Sequence, residues 1–477
     1  MMIFSHQKGT SMKSVLIGLA TVMFVTAGHV QARDKAAQNS DAISDLREHG
    51  QKSPLAYELV ESLTTEIGPR LGGSPNDARA VEWAQAKLKQ LDFDRVHTEA
   101  VTFPRWVRGI EQAEIIAPFP HKLAVTALGG SGPTPPGGLE AEVIAFANLE
   151  QLEKARKKDI AGKIVFVNQP MPRFRDGHGY GQTVGVRYMA SQLTAEKGGK
   201  AVLIRSIATD NNRLPHTGIM KVSPEQPGVP AAALSVPDAI LLDNMLKRNR
   251  PVTVKLELGS HWDGQYTSQN VLGDIIGSEK PDEFVLLACH LDSWDLGTGA
   301  IDDGAGCAIM MAAAAHIKAL GLKPRRSIRV LLAANEEYGL AGAKAYAKAH
   351  QHDAKKHVIG GESDFGAGTI YRFDSHVAPH AFGLMDQVAQ AIAPLGVMRG
   401  DNNAHGGADV SALKKLGMPV VDMQQDGSHY FDYHHTANDT LDKIQPEAMA
   451  QNATVWALFA WLAANHPGDF GWFANQQ

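Results

Sequence analysis

"FVLLACHLDSWDLGTGAIDDGAGCAIMMAAAAHIKALG", residues 284 to 321, combines a strand, an acidic loop and a helix in one segment. The apolar run 284–289 has the length of a buried strand, and 304–321 is rich in alanine and methionine, which is typical of a buried helix. Between them, 289–304 holds one histidine and four aspartates, with no lysine or arginine from Pro281 to Ile317. An unpaired buried carboxylate costs several kcal/mol or becomes protonated. The segment therefore predicts a metal cation at the end of a buried strand.

Four apolar segments predict a sheet in the carboxyl-terminal half of the chain. They are 284–289, 327–334, 357–363 and 418–423, with helical stretches near 305–320, 339–350 and 378–394 and a last helix over about 446–464. Continuous apolar strands that alternate with helices are typical of a mostly parallel sheet covered by helices on both faces. The predicted fold class is therefore α/β, with ligand sites at the carboxyl ends of the strands.

The middle of the chain has a different pattern. After a glycine- and proline-rich linker at 129–138, short strands are predicted at 141–147, 163–167, 201–206 and 229–236. We interpret residues 106–262 as an inserted, smaller β-rich domain. It would divide the catalytic domain into an amino-terminal part, 33–105, and a main part, 263–477.

The amino end predicts export. A short apolar stretch, 14–25, follows a lysine and leads to a small-residue cleavage pattern that ends at Ala32. This pattern is typical of a secretory signal peptide, here 1–32, and is too short for a comfortable membrane span. Translation starts at Met1 or Met12. We expect a periplasmic or secreted protein without membrane attachment, and its net charge of −5 gives no indication of a nucleic-acid partner.

The only two cysteines, Cys289 and Cys307, flank the acidic loop. One lies on the predicted strand and the other on the predicted helix, facing one core. Such a pair more often consists of two buried thiols, so thiols are the expected state. A disulfide is the alternative in an oxidising compartment.

Polar side chains follow each of the four predicted strands. They are His290 and Asp292 after the first, Glu336 and Glu337 after the second, Asp364 after the third, and the histidines of "HYFDYHHTANDT" (429–440) after the fourth. Each group alone is more often a helix start or a solvated surface than a metal site. Because the carboxyl ends of parallel strands meet at one edge, we expect the groups to lie together. Two zinc ions that share one carboxylate need two histidines and three acids, and one further acid remains as general base.

Several motifs stand in the order found in one enzyme family. They are "HLD", "GAIDDGAG", "NEEYGLAGA", "ESDFGAG" and "HHTANDT". With them the chain resembles the co-catalytic zinc exopeptidases, which include bacterial leucyl-type aminopeptidases and plasma glutamate carboxypeptidase. The longer "HLDSWD" most resembles the carboxypeptidase Q branch. Residues 159–167 and 229–236 resemble parts of a protease-associated domain, which the resemblance places in the insertion.

The resemblance implies a set of ligands for two zinc ions per chain. Those ligands are His290, Asp302, Glu337, Asp364 and His435. Asp302 would bridge the two ions. His290 and Asp364 would bind one of them, and Glu337 and His435 the other. The spacing to Asp439 favours His435 over its neighbour, but the choice between the adjacent histidines stays open.

Further roles follow from the same resemblance. Glu336 would be the general base that takes a proton from a bridging water and passes it to the leaving amine. Asp292 would hydrogen-bond the far nitrogen of His290 and so orient it. His434 would contact the tetrahedral intermediate.

Weaker candidates have simple structural explanations. Asp303 is either a helix cap or a site residue. Asp409 and Tyr433 are candidate substrate-binding residues, although a helix-capping acid and a core aromatic explain them equally well.

The function predicted from the sequence is a secreted di-zinc exopeptidase that hydrolyses dipeptides or short peptides. The resemblance adds a homodimer as one assembly, and the sequence leaves the oligomeric state open. The first alternative is an aminopeptidase that acts on longer peptides. Others are a related di-zinc dipeptidase or deacylase, a single-zinc glutaminyl cyclase, and a binding protein on a peptidase scaffold. The dipeptidase and deacylase group is disfavoured because its insertion follows the Glu-Glu segment, whereas this insertion precedes His290.

Overall fold

The structure is a computed structural model that describes Met1 and residues 40–473. Apart from Met1, the signal peptide predicted over 1–32 lies outside the described residues. No helix within the described part of the chain is both long and apolar enough to cross a membrane.

The described chain contains strands and helices throughout, with runs of consecutive strands at β1 to β5 and β9 to β11. Its strands are β1 (Arg95–Val107), β2 (Glu111–Ala117), β3 (His121–Leu123), β4 (Val125–Ala127), β5 (Leu139–Phe146), β6 (Ile164–Val167), β7 (Ala201–Arg205), β8 (Ala231–Leu234), β9 (Thr253–Leu258), β10 (His261–Ile275), β11 (Lys280–His290), β12 (Arg326–Ala333), β13 (His357–Glu362), β14 (Ile370–His376), β15 (Met398–Arg399) and β16 (Val420–Gln425). Its helices are α1 (40–52), α2 (Leu55–Glu66), α3 (Pro75–Gln90), α4 (Leu149–Lys154), α5 (Lys157–Ile160), α6 (His178–Thr183), α7 (Gly185–Glu196), α8 (Val236–Leu246), α9 (Ala305–Ala319), α10 (Ala341–Ala349), α11 (Phe382–Ile392), α12 (Ser411–Leu416) and α13 (Pro446–Asn465).

The larger sheet has the order β1-β10-β12-β11-β13-β16-β14-β15. Its central strands β12, β11, β13 and β16 are parallel to one another. At one margin β1 and β10 pair antiparallel, and β10 with β12, and at the other β14 pairs antiparallel with β16 and parallel with β15. The parallel strands are those predicted from the apolar segments of the sequence. The α/β fold class is thus confirmed, with antiparallel strands added at both margins.

Strand β11 shows why this region of the sequence is apolar at every position. Val285, Leu287 and Cys289 pack in the core that includes α2, α9 and α13, whereas Leu286 and Ala288 pack on the other face with residues of α10 and α12. A strand covered on both faces has no solvent side to carry polar residues. The helix α9 is buried along almost its whole length, as its alanine and methionine content predicts.

Cys289 and Cys307 form a disulfide. The expectation of two buried thiols was wrong. The end of β11 and the first turn of α9 face each other with the two Cα atoms 5.1 Å apart, which is within the range that a disulfide needs.

The smaller sheet is formed entirely by residues between Glu111 and Leu258 and has the order β3-β2-β9-β5-β6-β7-β8-β4. Strands β5, β6, β7 and β8 are parallel, and their apolar side chains pack with α7 and α8 into separate cores. We call residues 111–258 the second unit.

The strands β1 and β10 connect the second unit to the larger sheet. They pair antiparallel from Arg95 with Asp274 up to Val107 with His261, so the chain leaves and re-enters the larger sheet side by side. At this junction Arg108 donates from Nε to both carboxylate oxygens of Asp295, at 2.9 and 2.8 Å. Asp295, the second aspartate of "HLDSWD", thus ties the acidic loop to the junction with the second unit.

A buried histidine makes the stability of this fold dependent on pH. His357 begins β13 and is 1% exposed, with Nδ1 donating to the carbonyl of Ala354 and Nε2 accepting from the hydroxyl of Tyr346. Burial, and after it the charge of Arg329, lowers the pKa of His357 from 6.5 to about 3. The folded protein therefore keeps His357 neutral at pH values at which the unfolded chain would protonate it.

We predict that His357 makes the fold less stable as the pH falls below 6.5. Because its pKa is depressed in the folded state, its contribution is complete above pH 6.5 and is lost towards pH 3, by roughly 1.4 kcal/mol of unfolding free energy per pH unit. Urea unfolding at several pH values between 4 and 7 should show a slope smaller by about that amount in His357→Gln, which keeps an acceptor for Tyr346. Equal slopes in the two proteins would mean that His357 is protonated in the fold.

Candidate metal centre

The carboxyl ends of the parallel strands bring the predicted site residues together. His290 is the last residue of β11 and pairs in register with Ala333 of β12, after which Glu336 and Glu337 follow. Ala288 of β11 is in register with Glu362 at the end of β13, two residues before Asp364. The parallel register thus places side chains from distant parts of the sequence at one edge of the sheet.

The first group of donors is formed by His290, Asp302 and Asp364. The Nε2 atom of His290 lies 3.2 Å from Oδ1 of Asp302 and 3.4 Å from Oδ1 of Asp364. Burial opposes protonation of His290, but the charges of the two carboxylates, that of Asp364 first, raise its pKa well above the usual range. One nitrogen and two oxygens converge here in a buried position.

The second group shares Asp302 with the first. The Nε2 atom of His435 lies 3.2 Å from Oδ2 of Asp302 and 3.1 Å from Oε2 of Glu337. The Nδ1 atom of His435 donates to the carbonyl of Thr217, at 3.1 Å, and this bond leaves the lone pair of Nε2 directed at the carboxylates. Asp302 therefore places one oxygen in each group.

His434 stands beside the second group without joining both of its acids. Its Nε2 atom lies 3.6 Å from Oδ2 of Asp302, and its ring stacks on that of His435 with the centroids 3.5 Å apart. Burial lowers the pKa of His434 well below the usual value, so the ring is neutral. Of the two adjacent histidines, His435 alone contacts Glu337 among the described ion pairs.

The charge of these groups fits divalent cations. Burial raises the pKa values of Glu336, Glu337 and Asp364, because each carboxylate has other acids around it and little solvent. Arg70, a buried basic side chain beside them, donates to the carbonyls of the acidic loop instead of to a carboxylate. Imidazole nitrogens and carboxylate oxygens that face one another at 3.1 to 3.4 Å are the donors that zinc prefers.

Asp292 orients the site through two different groups of atoms. The far nitrogen of His290, Nδ1, is 3.1 Å from the main-chain carbonyl of Asp292 but 3.7 Å from its carboxylate. The hydrogen bond predicted for the carboxylate is thus made by the carbonyl. The carboxylate instead accepts from the main-chain N–H groups of Glu336, at 2.9 Å, and Glu337, at 3.4 Å, and so fixes the two glutamates relative to β11.

Asp303 and Asp439 hold the loop that carries Asp302. Asp303 accepts from the N–H of Gly306 at the start of α9 and from the N–H of His290, so it is both a helix cap and a tie to β11. The carboxylate of Asp439 accepts from the N–H of Ile301 at 2.7 Å. The peptide bond between Asp302 and Asp303 is cis.

Glu336 lies half-buried on the wall of a cavity of about 720 Å³ that opens onto both donor groups. It forms no ion pair within the described chain, in contrast to Glu337. The second unit also lines the cavity, with Tyr180 and Ile219, and Trp262 of β10 lies beside them. The site thus lies between the larger sheet and the second unit.

Two weak candidates do not line this cavity. Tyr433 faces a neighbouring pocket, where the ammonium of Lys443 lies 5.3 Å from the centre of its ring. Asp409 is 2% exposed, its N–H donates to Glu362, and its carboxylate does not cap α12. The structure therefore gives neither residue direct contact with the cavity.

Sequence reasoning missed the residues that the second unit contributes. Tyr180 and Arg187 line the cavity, and Thr217 binds His435. Tyr180 packs against Phe431 and His434 with ring centroids 4.9 and 5.4 Å apart. No motif surrounds these residues, and the one available signal was an arginine within an otherwise uncharged stretch, 178–195.

Comparison with known proteins places the chain in a family. The model for peptidase family M28 matches residues 270–460. Carboxypeptidase Q of Mus musculus is 35% identical over 424 residues, which are 89% of this chain and 88% of that protein. The chain belongs to peptidase family M28. The membership confirms the predicted enzyme class, a metallopeptidase of the exopeptidase type, and the predicted likeness to carboxypeptidase Q.

Solved structures of M28 peptidases agree with this fold. A peptidase M28 precursor from Shewanella amazonensis SB2B is 51% identical, covers 92% of this chain and 100% of its own, and superposes with a TM-score of 0.90. A zinc aminopeptidase from Bacillus subtilis is 19% identical, covers 88% of this chain and 97% of its own, and has a TM-score of 0.61. The second likeness shows a shared fold.

Proposed function

We propose that this M28 protein is a zinc-dependent exopeptidase that hydrolyses dipeptides and other short peptides. The observation that carries the proposal is the pair of donor groups that share Asp302 at a cavity of about 720 Å³, with Glu336 on the cavity wall. Peptide hydrolysis needs an activated water, a proton acceptor and room for the substrate, and these features supply them together.

Two zinc ions per chain fit the donor groups. His290 and Asp364 would hold one ion, His435 and Glu337 the other, and Asp302 both. The name of the Bacillus subtilis relative, a zinc aminopeptidase, supports the choice of metal. When bound, such ions supply Lewis acidity that polarises the peptide carbonyl and lowers the pKa of the attacking water.

Glu336 is the proposed general base. Its carboxylate would accept a proton from the attacking water and deliver it to the amine that leaves. The bond from its main-chain N–H to Asp292 fixes the residue, while its side chain has no ion-pair partner in the described chain that would compete for the proton. We place His434 beside it as a group that contacts the substrate.

The second unit supports a preference for short substrates. It covers the donor groups from the side opposite Glu336 and binds the loop of His435 through Thr217, so a peptide must fit within the cavity. We propose that residues 106–262 are an inserted protease-associated domain with this covering role. The antiparallel pairing of β1 and β10 on either side supports an insertion.

We also propose that the protein is exported, by the signal peptide predicted over 1–32. The disulfide between Cys289 and Cys307 supports this, because disulfides persist in oxidising compartments. The likeness to carboxypeptidase Q is compatible with either a periplasmic or a secreted enzyme.

Substrate length tests the proposed function. The bounded size of the cavity predicts that kcat/KM for dipeptides exceeds that for decapeptides by about 10-fold or more, because the part of a long peptide outside the cavity gains no contacts with the site. Assays should compare dipeptides, decapeptides and aminoacyl anilides with the same amino-terminal residue, with Glu336→Gln as the control for contaminating peptidases. Efficient cleavage of decapeptides would instead favour an aminopeptidase that acts on longer peptides.

A further inference from the structure

Arg187 places a buried positive charge in the wall of the cavity. It lies on α7 of the second unit and is 4% exposed. Its hydrogen bonds go to neutral oxygens: the carbonyls of Thr217 and Ile219 and the hydroxyl of Tyr180. Among the described residues, no carboxylate forms an ion pair with it, although buried charges are normally paired.

The guanidinium of Arg187 keeps free donors. A guanidinium has five N–H groups in a planar fork. Three of those of Arg187 make the bonds to Ile219, Thr217 and Tyr180. Two donors therefore make no hydrogen bond within the described residues, and a carboxylate is the anion whose geometry an arginine fork matches.

The backbone beneath Arg187 is shaped around its side chain. Gly218 has a φ of +134°, and a Cβ there would lie 2.3 Å from Nη1 and 2.4 Å from Cζ of Arg187. Only a residue without a side chain leaves this space. The guanidinium is thus held in a fitted position and not on a mobile surface side chain.

We propose that Arg187 binds the free carboxyl terminus of the peptide substrate. The proposal rests on the proposed exopeptidase function and deepens it, because it states which end of the peptide is recognised. Contacts lead from Arg187 to the donor groups through Tyr180 and His434, whose rings are 5.4 Å apart, and on to Asp302, 3.6 Å from His434. In this proposal the scissile carbonyl of a dipeptide lies at Asp302, and the following residue, about 3.8 Å further on between Cα atoms, places its carboxylate on the side of Arg187.

Arg187 also has a second possible role that the test must separate from the first. The carbonyl of Thr217 accepts from both Arg187 and Nδ1 of His435, at 3.4 and 3.1 Å. Arg187 could therefore act by positioning His435. A positioning role would affect every substrate and the bound metal, whereas carboxylate binding affects only substrates with a free carboxyl terminus.

The experiment compares alanylalanine with its carboxyl-terminal amide in the zinc-loaded protein and in Arg187→Met. We expect kcat/KM for the free acid to fall by about 10- to 100-fold in the variant, the effect of losing charged hydrogen bonds. Hydrolysis of the amide should stay within about twofold. Arg187→Lys should restore part of the loss, because it keeps the charge without the fork. Zinc content should stay equal to that of the unaltered protein.

A matched control is Lys344→Met, which removes a second cation of the cavity that is exposed to solvent. It should leave the ratio of acid to amide hydrolysis unchanged. An equal loss for acid and amide in Arg187→Met, or a loss of zinc, would overturn the proposal in favour of the positioning role.

Calorimetric binding separates this proposal from the proposed function. In Glu336→Gln, the free acid should bind more tightly than the amide, and adding Arg187→Met should remove the difference. That result would support carboxylate binding by Arg187 even if the unaltered protein hydrolysed neither compound. In that case only the proposed exopeptidase function would be refuted. Equal binding of acid and amide by Glu336→Gln would overturn the role of Arg187.

Discussion

Replacing Glu336 by glutamine is expected to abolish peptide hydrolysis while both zinc ions remain bound. Glutamine has the same shape as glutamate but cannot accept the proton of the attacking water, so kcat should fall by about 100-fold or more, the usual contribution of a general base. The bond that holds the residue in place comes from its main-chain N–H to Asp292, and the substitution does not remove it. Dipeptide hydrolysis and zinc content of the purified protein are the two measurements.

The adjacent glutamate gives the matched control. Glu337 contacts His435 at 3.1 Å in the second donor group, whereas Glu336 forms no such pair in the described chain. Glu337→Gln should therefore lose zinc together with activity, because an amide oxygen is a weaker ligand than a carboxylate. Normal turnover in Glu336→Gln would refute its role as base, and loss of zinc from that variant would assign it to the metal instead.

The parts of the fold that could be predicted are those with a local signal. Strand β11 was predictable because both of its faces are buried, which makes every position apolar from Phe284 to Cys289. The place of the candidate site followed from the same argument, since parallel strands end at one edge and each apolar run leads to acids or histidine. The helix α3 also has a local signal at its start, because the side chain of Ser74 accepts from the N–H of Asp77 in the first turn.

The parts that could not be predicted depend on contacts between distant residues. Arg108 and Asp295 are 187 positions apart, and His435 and Thr217 are 218 apart, so no local pattern announces either pair. The type of a residue also does not say which of its atoms forms a hydrogen bond. In Asp292 the main-chain carbonyl, and not the side-chain carboxylate, bonds to His290. For the same reason two cysteines in a core could not be identified as a disulfide until the packing of β11 on α9 was known.

The two adjacent histidines should differ most clearly in their effect on the metal. The Nε2 atom of His435 lies within 3.2 Å of both Asp302 and Glu337, and the bond from its Nδ1 to Thr217 fixes the ring in that direction. We predict that His435→Asn retains one zinc ion instead of two. Its activity should fall by more than about 100-fold, because an incomplete site no longer activates the water. Asparagine is chosen since His435 has a φ of +62°, a left-handed conformation that asparagine tolerates.

His434→Asn is the matched comparison, because His434 contacts Asp302 at 3.6 Å and has no contact with Glu337 among the described ion pairs. It should keep both zinc ions and show a smaller loss of activity, confined to contacts with the substrate. Zinc content after gel filtration and titration of the metal-free protein with zinc would measure the difference. If His434→Asn lost a zinc ion and His435→Asn kept both, the ligand would be His434. Its ring, which stacks on that of His435, would then have to move towards Glu337 when zinc binds. The bond between His435 and Thr217 argues against that outcome, because it already holds the ring of His435 with its free nitrogen towards both acids.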